Sequence, residues 1–330
     1  MSSATHYCAF HGDPARKANM VDRVRTKWTR GQVFPLSYLK WRTDGGMVSL
    51  SGVLAETQLP EQFIERTGLP VELATLCESL VFAGAEFSED KSAPRGLAVR
   101  GGEAILAFAM EWLDALPVGA DLGGVVPRFM QSFLASVLAP EFAMAAHVPP
   151  AVRACAERIL GAWEREMSGQ QVAPNEWRSL RADALRASED HSDAWGYVLS
   201  ELVESLAWPV RGLAPEFVPI FQVFVKELRQ FLLAPYLSTE DRELLTQSLV
   251  GLRELSRDPQ FSQLPTETLL ERNTQSMRAV RTLMQEDTQT RLQAARQQAQ
   301  SESDRVLRLQ MDSLRRLIEA AAERPEASTA

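Results

Sequence analysis

The chain has 330 residues, 45% apolar and 24% charged, the balance of a folded protein with ample material for a core. Its net charge of −8 is unevenly placed: +6 over residues 1–42, −14 over 43–265 and zero thereafter, so the central body repels nucleic acid and anionic lipid and favours basic partners. Three cysteines exclude a disulfide scaffold, and the longest charge-free apolar stretch, Phe129 to Pro140, is about half a bilayer span, which together with a start lacking an apolar signal core gives the expectation of a cytoplasmic protein without a membrane span.

Residues 1–58 read as a small, irregular, basic N-terminal subdomain. Ala15 to Trp28 is expected to be helical after Gly12-Asp13-Pro14, since proline is tolerated in a first turn. Asp44-Gly45-Gly46 marks a turn, and Met47 to Leu50 is either a short strand or loop. An acidic helical body is expected over 59–265. Its predicted helices are 60–67, 70–82, 103–116, 127–138, 149–167, 175–188, 192–208, 217–233 and 238–256, with 84–101 as a polar loop. Ile105, Phe108, Trp112 and Leu116 form one apolar stripe; Phe217, Phe221, Phe224, Leu228 and Phe231 form another on a helix apolar on most sides. Ser238 followed by Glu240 and Asp241 is a helix start.

Thr266 to Arg324 lacks glycine, proline and aromatic residues, which predicts one long polar helix. Leu307, Met311, Leu314 and Ile318 alternate in steps of four and three, the spacing of a coiled-coil seam, and are the candidates for homo-oligomerisation. The same pattern also suits a partner-docking helix or one laid along the body. Residues 325–330 are expected to be a disordered tail. The fold class expected is therefore all-α: a multi-helix body of antiparallel helices, with the irregular N-terminal subdomain and the long C-terminal helix.

Familiar catalytic strings are missing: there is no glycine-rich phosphate loop, no dinucleotide fingerprint, no zinc-protease motif and no nucleophile elbow. His147 and His191 read as loop residues, the latter among flanking acids. Cys8 and His11 have a chelating spacing, yet Cys77 and Cys155 lie on apolar helix faces and supply no second ligand pair, so neither a metal nor a cofactor is expected. Arg23, Arg25, Lys27 and Arg30 interleave with Trp28, Phe34, Tyr38 and Trp41, a texture that suits nucleic acid, but the acidic body opposes that partner.

One set of strings carries a resemblance. Cys8-Ala-Phe-His11-Gly12-Asp13-Pro14-Ala-Arg-Lys17 is followed by a basic helix and by Trp41 with its glycine turn. Arg66-Thr67-Gly68-Leu69-Pro70, Phe82-Ala83-Gly84, Pro117-Val118-Gly119-Ala120-Asp121-Leu122 and His147 to Arg153 come next, in that order. Over residues 7 to 208 this resembles a family of bacterial helical proteins classed as immunity proteins. Relatives carry a Gly-Cys-x-x-x-Cys turn where this chain has Met47 and Ser51, so a cysteine site there would be lost. The resemblance implies a non-catalytic protein that binds and neutralises a protein partner, such as a basic toxin, with Cys8, His11, Asp13, Lys17, Trp41 and Asp121 as candidate contact residues. Two alternatives stand beside it: a scaffold self-assembling through the C-terminal helix, and an enzyme or ligand sensor with a site near Cys8, His11, Asp13 and Asp121. The same polar residues also have a local reading, in which Asp13 and Asp121 cap helices and His11 bonds to backbone.

Overall fold

A computed structural model describes residues 7–36, 38–41, 47–93, 96–140, 145, 148–189, 194–210, 214–257 and 275–322. The expected turn at 44–46, His147, His191, the stretch 266–274 and the tail 325–330 lie outside those residues. Among the described residues the fold is all-α apart from one hairpin, and no helix is long and apolar enough to cross a membrane. The helices are α1 (Pro14–Thr29), α2 (Leu50–Ala55), α3 (Pro60–Thr67), α4 (Val71–Gly84), α5 (Glu103–Ala115), α6 (Val125–Leu138) and α7 (Pro150–Met167). There follow α8 (Pro174–Glu189), α9 (Ala194–Ser205), α10 (Ala214–Leu233), α11 (Thr239–Arg257), α12 (Gln275–Leu283) and α13 (Glu286–Ala320).

The chain divides into two compact units, one of residues 1–227 with 304–330 and the other of 228–303. The irregular N-terminus and the end of the last helix both belong to the first unit.

In the first unit, helices pack antiparallel. Arg158 of α7 pairs with Asp183 of α8 at 2.6 Å, and Arg165 pairs with Glu176, so the partners run in opposite order. The aromatic stripe of α10 enters the core against α6: Phe133 lies 5.0 Å from Phe221 and 5.1 Å from Phe224, edge to face. Gln222 ties the same helix to α4 by donating to Ser79 Oγ at 2.9 Å.

Three expectations are corrected here. First, the supposed polar loop holds a hairpin, β1 (Glu86–Glu89) and β2 (Leu97–Arg100), with Phe87 opposite Val99. Asp90 receives the Ser92 amide in the turn, Gly96 takes φ +71°, and Phe87 is anchored on Phe82 at 5.4 Å.

Second, the C-terminal segment is broken rather than continuous. The α12 helix ends at Leu283, whose carbonyl accepts from the Gln289 side chain, and Glu286 and Asp287 then fill the first turn of α13.

Third, Leu307, Met311, Leu314 and Ile318 are not an exposed seam. All four are buried within the chain's own first unit. Arg308 donates to the Ala104 carbonyl at 2.8 Å and pairs with Glu111 at 3.2 Å, and Gln310 reaches Ser136 Oγ at 3.3 Å. Leu307 lies beside Gly84 at the end of α4, so the stripe faces the chain's own first unit.

In the second unit, Leu237, Leu292 and Ala295 form a small core with Leu233, Leu245 and Leu283 around it. Ser238 and Asp241 make a reciprocal cap at the start of α11: the Asp241 amide donates to Ser238 Oγ at 3.0 Å, and the Ser238 hydroxyl donates back at 2.8 Å. Arg291 pairs with Asp241 at 2.9 Å, and that bond holds the carboxyl below its usual range.

Candidate functional site

Three of the strings that carry the resemblance, those around Cys8, Gly68 and Gly119, meet in one knot. Ala9 donates to the Ala120 carbonyl at 3.0 Å and Gly119 donates back to Ala9 at 2.8 Å, joining two segments over a hundred residues apart. Gly68, at φ +68°, passes so close that a Cβ there would stand 1.9 Å from the Cys8 carbonyl oxygen. Phe10 and His11 hold positive φ, and His11 Nε2 bonds the Glu65 carbonyl at 2.8 Å.

Each candidate residue of this knot has a local partner. Asp13 is the N-cap of α1, receiving the amides of Ala15 and Arg16. Asp121 receives the Gly123 amide at 2.8 Å in the turn before α6. Cys8 Sγ lies 3.8 Å from the Gly119 carbonyl. Lys17 donates to the carbonyls of Asp114 and Leu116 at 2.8 and 2.5 Å, closing the C-terminus of α5; burial lowers its pKa, with Asp114 opposing. Lys27 sits over the Trp41 ring at 4.7 Å, away from the knot. Among the described residues no three His, Cys, Asp or Glu side chains gather as a metal site would need.

The basic residues share a theme. Arg23 and Arg66 bond the last carbonyls of α2, and Arg153 bonds Leu138 and Ala145 beyond α6. Two of the eight N-terminal cations, Lys17 and Arg23, are thus spent on helix ends, and Arg25 pairs with Asp114 at 2.6 Å.

Glu78 is an organising residue that the sequence reading missed. It is fully buried on α4 and accepts the amides of Leu36 at 3.2 Å, Leu50 at 3.0 Å and Ser51 at 2.6 Å, as well as the Ser51 hydroxyl. One carboxylate thus caps α2 and clips the irregular segment to the body. Burial raises its pKa to about 7, with the four donors pulling the other way. Gly52 is required alongside it, since a Cβ would meet the Lys40 carbonyl oxygen at 2.2 Å.

A different kind of place lies between α9 and α10. A groove of about 510 Å³ has Leu202 and Phe224 as its floor, with Ile220, Val223 and Trp208 as its walls. Trp208 and Val223 are 39% and 50% exposed, so the apolar lining is open to solvent. The Trp208 backbone is fixed: its carbonyl accepts Trp163 Nε1 at 2.8 Å, and the Val210 amide next along donates to Glu166 at 3.0 Å. Arg181 lies over the indole at 4.3 Å and stands 4.0 Å from Glu204. Glu201 completes the rim. Such a site offers a rigid aromatic anchor and charges of both signs; Ser205 also lines it, its hydroxyl donating to the Leu202 carbonyl at 2.6 Å. The signal for it was a tryptophan at the end of a helix, just before Pro209.

No family model, no curated protein and no solved structure matches this chain.

Proposed function

We propose that the chain acts by binding another protein, without catalysis, in the manner of an immunity protein that neutralises a basic partner. The observation that carries this reading is the rigidly mounted, half-exposed Trp208 in an open apolar groove, within a stretch of residues whose net charge is −14. Trp and Arg on a fixed backbone are the side chains that dominate protein interfaces, because they bury large areas at little entropic cost. Complementary charge adds speed of encounter. The strings behind the immunity resemblance support the same reading more weakly, since their residues build the fold around Gly68 and Gly119 rather than a surface.

The test is co-expression of the full chain with each product of its flanking genes, read by size exclusion and by growth. A stable complex with a basic product, together with relief of that product's toxicity, is the expected outcome. If no flanking product binds and none is toxic, the immunity reading fails.

A further inference from the structure

We propose that the groove between α9 and α10 receives an amphipathic helix of the partner, with an apolar anchor beside Trp208 and Val223 and a lysine or arginine on Glu201 and Glu204. This rests on the protein-binding reading above and names the chemistry that the site selects.

The geometry favours a helix over an extended peptide. Apart from Trp208, every residue lining the groove belongs to α8, α9 or α10, where backbone groups are engaged in helical bonds. An extended guest would find no strand edge to pair with and would lose the hydration of its own amides, whereas a helix brings its backbone already satisfied. The volume of about 510 Å³ exceeds any single side chain and suits two apolar residues a turn apart.

The rim sets the sign of the guest. Among the described lining residues there are two carboxylates against one guanidinium, Arg181, which lies over Trp208 and stands 4.0 Å from Glu204, so the rim keeps a net negative charge. A cation on the guest is drawn to Glu201 and Glu204, while an acidic guest meets like charge there and across the wider body. Two copies of this chain meeting groove to groove would oppose the same carboxylates, so a partner of opposite charge is the better fit.

The experiment pans a display library of helical sixteen-residue peptides on the full chain, then measures selected peptides against wild type, Trp208→Ala and Val223→Glu. Both sites are solvent-facing side chains, and thermal unfolding of each variant checks that the fold is kept. The expected result is enrichment of helices with apolar residues three or four apart next to Lys or Arg. Their binding should fall at least about thirtyfold in Trp208→Ala and weaken as salt is raised. No enrichment, acidic or extended winners, or equal affinity for the variants would overturn the proposal. So would concentration-dependent dimerisation of wild type that Val223→Glu abolishes, since it would assign the groove to a second copy. A toxin complex that forms with undiminished affinity in Trp208→Ala would remove this inference while leaving the immunity reading in place.

Discussion

A carboxylate without exposed surface must be offset by donors, and Glu78 has four. Glu78→Ala leaves three amides and a hydroxyl buried without an acceptor, so we expect a loss of roughly 3 kcal/mol or more in urea denaturation. The proton adds a second signature. The unfolded chain releases it near pH 4.5 and the folded chain near 7, so between those values the folded state binds more protons and stability falls as pH rises. The difference is on the order of 3 kcal/mol, complete above pH 7. Glu78→Gln removes that slope; a wild-type slope between about pH 5 and pH 8 no steeper than the variant's would contradict the assignment. Backbone geometry gives a second prediction at this scale. Gly68→Ala places a methyl against the Cys8 carbonyl at positive φ and should cost roughly 2 kcal/mol or more by the same measurement. The cap at Asp13 was legible in the sequence because capping chemistry is local. Glu78 was not, since a lone glutamate between Cys77 and Ser79 reads equally as a polar-face residue, and its donors come from residues 36 and 50–51 far along the chain.

Helical period and proline starts made most helices readable, and boundaries moved by only a few residues: α6 begins at Val125 rather than 127, and α10 at Ala214, with Pro219 accommodated inside it. The hairpin escaped because its strands are four residues each, too short for alternation to register. The break after Leu283 escaped because no glycine or proline marks it; a side-chain cap from Gln289 does the work. The heptad-like stripe was legible as apolar, but spacing does not say whether a seam meets another chain or its own body, and the structure buries it within the first unit. Leu314→Ala, at a fully buried side chain, should destabilise the fold by about 2–5 kcal/mol and leave the oligomeric state unchanged in light scattering. A change of oligomeric state without loss of stability would restore the seam.

At the scale of the molecule, the charge arithmetic in the sequence pointed to a basic partner, but the location of a binding surface was not readable. The knot of Cys8, His11 and Asp121 drew attention because its strings are distinctive, and distinctive strings here serve close backbone approach. The groove depends on how α8, α9 and α10 meet, which no short motif encodes. Association with a basic partner should slow as salt rises from about 0.05 to 0.5 M, because the Debye length shrinks below the reach of the acidic body. Stopped-flow mixing reads this, and a salt-independent rate would contradict charge steering.

The most direct single measurement is titration calorimetry of each basic flanking-gene product against wild type and Trp208→Ala. Affinity for one such product is expected to fall at least about thirtyfold in a variant that still unfolds cooperatively. Unchanged affinity in that variant, with the loss appearing instead in His11→Ala, would place the function at the N-terminal knot and contradict the account.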